Sequence, residues 1–308
     1  MSNNSTVAVL IPCHNEAITI EKVIRDFRIY IPKAQIFVYD NTSTDRTADI
    51  ALSAGAIVRS EPLKGKGNVV RRMFADIDAD IYVLVDGDDT YDASSAPRLI
   101  DFLIDEHLDM VNAVRVATNV SAYRPGHRFG NAALTYLVAS IFGRRTKDML
   151  SGYRIFSRRF VKSFPAMSAG FEIETELTVH ALELKAPIGE IPTPYRERPE
   201  DSASKLHTFR DGARILKMIL HLVKEERPLQ FFGSTALITL GLGLVSGWIV
   251  ISNYLDTGQV ARFPTAILAT GLVITSFLSL FTGLILDTVT KSRQEIKRLA
   301  YLAAGQKT

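Results

Sequence analysis

Two uncharged apolar stretches near the C-terminus, residues 229–255 and 264–286, constrain this chain more than any other feature. Each exceeds the roughly 20 residues a membrane-spanning helix needs. Two buried core helices are the alternative, and that length does not suit them. A short connector at 256–263 joins the stretches and holds one base, Arg262. Lys224 and Arg227 precede the first stretch, and Lys291, Arg293, Lys297 and Arg298 follow the second. Basic flanks predict a two-span hairpin in the cell membrane with both termini cytoplasmic. The N-terminus, Met1-Ser2-Asn3-Asn4-Ser5, has no basic leader, so no cleaved signal peptide is expected. Cys13 is the only cysteine, which excludes an intrachain disulfide and suits a cytosolic domain. With 36 basic and 33 acidic side chains, the charge of +3 is too mild to argue for nucleic acid.

Ahead of the spans, short apolar runs alternate with amphipathic ones. Strands are predicted over 7–11, 35–39, 56–58, 81–85 and 110–116. Helices are predicted over 18–29, 45–54, 66–77 and 99–106. This βαβα order predicts an α/β fold, a mostly parallel sheet with helices on both faces. Ligands of such sheets collect at the carboxyl ends of the strands. Residues 171–184 read as a helix. Residues 188–195 contain Pro192 and Pro194 and read as an edge strand at best. Residues 196–205 are polar and turn-like. Residues 209–227 place Arg210, Arg214, Lys217 and Lys224 among apolar residues, the pattern of an amphipathic interfacial helix.

The candidate chemistry lies where those strands end. The first ends in Pro12-Cys13-His14-Asn15-Glu16 and the second in Asp40-Asn41-Thr42-Ser43-Thr44-Asp45. Singly these are weak signals, since Asp45 can cap the next helix and Glu16 can serve as a first-turn acid. A third acidic end, Asp86-Gly87-Asp88-Asp89, weakens that bland reading. Carboxylates at i and i+2 can hold Mg2+ or Mn2+ against a diphosphate, and Gly87 eases the turn. Glu172, Glu174 and Glu176 open a helix, with Glu172 and Glu176 sharing a face. They serve either helix-end electrostatics or the site. The histidines show no ligand spacing, so no zinc site is expected.

The order VAVLIPCHNE, YDNTSTDRT, GKGNVVR, DGDD and SGYR resembles family-2 glycosyltransferases of the GT-A fold, Rossmann-like in build. Within these it most resembles the dolichyl- and undecaprenyl-phosphate glycosyltransferases. The resemblance implies that Pro12, Glu16, Asp40, Lys66 and Asp86 bind the nucleotide sugar. It implies a metal on Asp86 and Asp88. Related chains often carry a glutamine where Thr90 stands here, so Asp89 is the substitute third ligand. Arg115, Arg154 and Lys205 would bind the acceptor phosphate, with a salt bridge as the alternative for Arg154. Asp148 would act as a base or a metal-side acid, making Asp86, Asp148 and Arg154 the catalytic set.

The implied reaction is inverting transfer from a UDP- or GDP-sugar to a polyprenyl phosphate. The alternatives are a lipid-diphosphate or sugar-hydroxyl acceptor, with Glu172 or Asp148 as base, and a non-catalytic nucleotide-sugar sensor. A processive synthase is disfavoured because the lone tryptophan, Trp248, lies within a span and leaves no QxxRW motif. The expected domains are a glycosyltransferase domain at 1–205, a juxtamembrane helix at 206–228, the hairpin at 229–286 and a basic tail at 287–308. Gly241, Gly243 and Gly247 permit close helix packing, which leaves room for a homo-oligomer.

Overall fold

The computed structural model describes residues 5–117, 146–170, 172–196, 198 and 223–305. Among them lie strands β1 (Val7–Cys13), β2 (Gln35–Asp40), β3 (Ile57–Ser60), β4 (Ile81–Leu84), β5 (Met110–Ala117), β6 (Arg154–Ser157) and β7 (Ile188–Tyr195). They form one sheet in the order β3-β2-β1-β4-β6-β5-β7. Strands β3, β2, β1 and β4 pair in parallel, as do β5 and β7. Strand β6 alone runs against its neighbours, β4 and β5. The expected mostly parallel sheet is therefore present, with one reversed strand that the apolar pattern did not reveal. Four residues opening on an arginine carry no readable period. Strand β7 closes one end of the sheet, where the missing N–H groups of Pro192 and Pro194 cost no ladder bond.

Helices α1 (Ile20–Tyr30), α2 (Thr47–Ser53), α3 (Lys66–Asp76), α4 (Ala96–Asp105), α5 (Arg158–Ser163) and α6 (Ile173–Glu183) cover both faces. The cause is the period of two along each strand. Val9 and Ile11 share a face with Val38 and Val83, and that face packs on Ile24 and Phe27 of α1 and Leu99 of α4. Ala8 and Leu10 share the other with Tyr39 and Tyr82, against Met73 of α3, Phe160 of α5 and Leu177 of α6. Truncating a fully buried side chain such as Leu10 to alanine costs roughly 2–5 kcal/mol. Helix α5, also unforeseen, starts at a serine cap: Ser157 Oγ accepts from the Phe160 N–H at 3.3 Å.

Two long helices follow, α7 (Pro228–Thr257) and α8 (Phe263–Ala304). Their mean hydropathies are 1.9 and 2.0, and both are long and apolar enough to cross a membrane. Only 11% and 17% of their most apolar windows are buried, which core helices could not tolerate. Leu237, Trp248 and Leu255 all face outward. The helices are joined by Ser276 Oγ donating to the Ala236 carbonyl and Ser279 Oγ to the Phe232 carbonyl, both at 2.9 Å. Gly243 adjoins Val273 and Ala269 of α8, so this glycine serves packing within the chain.

The chain divides into two compact units, residues 1–215 with 297–308, and residues 216–296. Residues 287–308, expected as a basic tail, are divided between the two units after residue 296, and α8 stays helical to Ala304. Within the first unit Lys297 pairs with Glu183 at 2.6 Å and Arg298 donates to the Leu184 carbonyl at 2.7 Å. The Tyr301 hydroxyl donates to Asp109 at 2.5 Å. Most of the interfacial helix expected over 209–227 and, apart from Arg196 and Arg198, the loop over 196–205 with Lys205 lie outside the described residues, as do His127, His207 and His221.

Candidate active site

The loops following β1, β2 and β4 form one rim at the carboxyl ends of these parallel strands. Each contains a non-glycine residue in the left-handed region: Asn15 at φ 54°, Thr42 at φ 57° and Asp89 at φ 57°. Backbone strain of this kind persists only where surrounding bonds enforce it. Asn15 Oδ1 accepts from the Thr44 N–H at 2.8 Å, and Asp45 accepts from the N–H groups of Thr47 at 3.0 Å and Ala17 at 3.2 Å. Burial would raise the Asp45 pKa, but these bonds outweigh it and lower it. Asp45 is thus committed to tying the first two loops together.

Asp40, at the end of β2, is buried. One carboxylate oxygen accepts from the Ser43 N–H at 3.1 Å, while the other, Oδ1, is buried with no hydrogen-bond partner. Cys13 stands opposite Asp40 in the sheet and Pro12 opposite Tyr39, and Glu16 follows on the β1 loop, its N–H donating to Thr47 Oγ1 at 2.9 Å. The Cys13 thiol is pushed well up by burial and then by the charges of Glu16, Asp40, Asp86 and Asp88. All four acids thus act on the Cys13 thiol from this rim.

Past the end of β4, Asp86 pairs with Lys66, whose ammonium also reaches Glu174 Oε1 at 2.5 Å. Burial alone would lower the Lys66 pKa, but the charges of Asp86 and Glu174 hold it above the ordinary lysine value. Asp88 is buried; it accepts from the Thr90 hydroxyl at 2.6 Å and pairs with Arg198 at 2.5 Å. Burial, then the neighbouring Asp86 charge, raises the Asp88 pKa, partly offset by Arg198 and Thr90. Gly87 is not among the positive-φ residues; a side chain there would meet Cys13 Sγ at 2.7 Å. Close approach, rather than turn conformation, requires glycine at that position. Gly152 is constrained in the same way, because a methyl group on it would collide with the Asp86 carboxylate and lie 3.1 Å from Lys66 Nζ.

Three of the expected site positions are engaged within the chain. Asp89, the substitute third metal ligand, takes Lys22 of α1 at 2.6 Å, and among the described residues no three acids, histidines or cysteines gather as a ready metal cage. Arg154 is fully buried, with its donors on the Ser151 carbonyl (3.0 Å), the Thr178 hydroxyl (2.8 Å) and the Met149 carbonyl (2.6 Å). It braces the sheet and offers nothing to a phosphate. Of the glutamates opening α6, Glu174 reaches the site, whereas Glu176 accepts the N–H groups of Met167 and Ser168, both at 2.8 Å.

Asp148 and Arg115 come together as a two-pronged ion pair at 2.7 and 2.8 Å, with the guanidinium 5.4 Å from the Tyr195 ring centroid. Burial would raise the Asp148 pKa, but the Arg115 bonds and charge lower it. Sequence reasoning missed Arg198 and the particular role of Glu174. Arg198 follows β7, which runs parallel to β5 and so ends on the same side of the sheet; that placement was its only signal.

The comparisons with known proteins bear on this arrangement. The model of glycosyl transferase family 2 matches residues 8–164. The chain belongs to this family. Glycosyltransferase AglJ of Haloferax volcanii is 32% identical over 309 residues, covering 98% of this chain and 100% of that protein. A dolichyl-phosphate hexose transferase of the same organism is 31% identical over 222 residues, covering 72% of this chain and 95% of that protein. A solved structure of glucosyl-3-phosphoglycerate synthase from Mycobacterium tuberculosis, with Mn2+, uridine diphosphate and glucosyl-3-phosphoglycerate, matches at TM-score 0.56 and 25% identity. That match covers 72% of this chain and 80% of that chain. The mixed sheet with its acidic rim is thus the GT-A-like core of a family-2 glycosyltransferase.

Proposed function

We propose that this family-2 glycosyltransferase moves a sugar, with inversion, from a UDP- or GDP-sugar onto the phosphate of a polyprenyl phosphate at the cytoplasmic face of the cell membrane. The observation that carries this reading is the state of Asp148. A hydroxyl acceptor needs a base; Asp148 is spent on Arg115, which lowers its pKa, and of the two candidate bases that leaves only Glu172. A phosphate monoester needs none, since its second pKa is about 6. The name of the Haloferax dolichyl-phosphate hexose transferase supports the same acceptor class.

The protein's task is then to bring two anions together. Asp40 Oδ1 offers an unmet acceptor to the ribose or base, with Pro12 and Glu16 of the neighbouring strand end as further contacts to the nucleoside. Asp86 and Asp88 supply hard carboxylate oxygens, the donor type that Mg2+ or Mn2+ takes. When bound, such an ion stabilises the departing nucleoside diphosphate. Lys66 and Arg198 stand against these carboxylates as cations for the donor diphosphate. Arg115, oriented by Asp148 and Tyr195, faces the acceptor phosphate, and Lys205 assists. Helices α7 and α8 form the membrane hairpin, with the basic flanks, the juxtamembrane helix at 206–228 and both termini in the cytoplasm. The glycosyltransferase domain comprises residues 1–205.

The test is transfer from labelled UDP- and GDP-sugars into the lipid phase by the full chain with undecaprenyl phosphate and Mn2+. Label in an acid-labile lipid, lost with EDTA, is the expected result. Donor binding without any lipid product would overturn the acceptor assignment.

A further inference from the structure

The two carboxylates past the end of β4 are each already matched to one organic cation. Lys66 bridges Asp86 and Glu174, and Arg198 sits on Asp88. The side chains of Lys66, Asp88 and Glu174 are 9%, 4% and 7% exposed and those of Asp86 and Arg198 27% and 33%, so water screens the three buried charges weakly and the other two more. Among themselves these three carboxylates and two cations leave one net negative charge, and Glu16 and Asp40 on the same rim add to it. A divalent ion entering alone would compete with Lys66 and Arg198 for the same carboxylates and crowd them. An ion entering with the two phosphate charges of a nucleotide sugar would leave the balance unchanged.

We propose that Lys66 and Arg198 are place-holders for the divalent ion: they neutralise Asp86 and Asp88 in its absence, and yield them when the donor diphosphate arrives. The inference rests on the reading of Asp86 and Asp88 as metal-side carboxylates. Glu174 is the positioning residue that makes the exchange reversible. Its Oε2 is buried without a hydrogen-bond partner, so it can retain Lys66 after Asp86 is taken. Metal and diphosphate then bind with positive coupling, each raising the affinity for the other by the same factor. The ion is admitted as part of the donor complex.

The test is Mn2+ alone, titrated into the full chain in detergent, with free Mn2+ read by electron paramagnetic resonance, then repeated with saturating UDP or GDP. Lys66→Met and Arg198→Gln should each bind Mn2+ alone on the order of tenfold more tightly than the parent. Both should lose most of the enhancement that the nucleotide brings. Glu174→Gln should shift the other way, weakening Mn2+ alone several-fold because Lys66 falls wholly to Asp86. Arg198 is one-third exposed, so Arg198→Gln reads the exchange even where Lys66→Met does not fold. Unchanged or weaker Mn2+ binding in the folded cation variants would overturn the proposal. Adding Asp86→Asn and Asp88→Asn to the tighter variant separates the two readings. Tight binding that survives these changes places the ion elsewhere and overturns the metal site itself.

Discussion

The two ends of the sheet are both rich in carboxylates, and they handle them oppositely. At the amino end of β5, Asp109 is fully buried and saturated. It accepts from the Ser157 hydroxyl at 2.6 Å, two Arg159 N–H groups at 2.6 and 2.9 Å, and the Tyr301 hydroxyl at 2.5 Å. Arg159 and Arg298 each lie over the Tyr301 ring, 5.0 and 5.2 Å from its centre. Nearby Asp80 takes the N–H and hydroxyl of Thr6 at 2.9 and 3.0 Å. At the carboxyl end, Asp40 Oδ1 and Glu174 Oε2 are buried without partners. A saturated network lowers the energy of the folded chain, whereas an unsaturated one is completed by a ligand. Helix α6 joins the two regimes, opening with Glu174 at the rim and ending with Glu183 under Lys297.

The largest expected effect breaks the rim and spares the fold. Asp88→Asn should cut sugar transfer by at least about a hundredfold while the thermal midpoint barely moves. Normal turnover in this variant would sink the assignment. The converse change, Asp109→Ala, should cost roughly 3 kcal/mol of stability in urea unfolding because several donors lose one shared acceptor. Transfer by the surviving folded fraction should be unaltered, and a selective loss of kcat would blur the contrast between the two ends.

His180 of α6 sharpens the comparison through pH. It is buried between Phe160 and Phe164, and burial, reinforced by Lys297 and opposed by Glu183, lowers its pKa to about 4. The unfolded chain takes this proton first, near pH 6.5, so stability falls as pH drops from there towards 4. The loss reaches roughly 3 kcal/mol at the acid end. His180→Leu should lack this share of the acid loss, and equal acid sensitivity in both proteins would refute it. The smallest effect is expected from Tyr301→Phe, about 1 kcal/mol, since the ring and both arginine contacts survive. A much larger loss would show that the hydroxyl anchors the end of α8.

Much of the fold was legible because burial on both faces of a parallel strand writes continuous apolar runs, and the helices between them write a 3.6-residue period. Strand β6 and helix α5 were not legible, being four and six residues long and containing buried or paired arginines. For the site, the acids at the strand ends were readable because chain direction alone sends them to one rim. Arg154 was misread, since an arginine two residues after a glycine looks the same whether it meets a phosphate or three atoms of its own chain.

By itself the sequence determined the family, the α/β alternation, the acidic rim and two apolar helices, because each is a local pattern in one stretch of chain. Only the tertiary structure decided that Lys66 bridges Asp86 and Glu174, that Arg198 sits on Asp88, and that Tyr301 completes Asp109. These pairs span 108 residues for Lys66 with Glu174 and 192 for Asp109 with Tyr301. Which charges meet over such separations depends on strand order and register, and those are set by packing the whole core.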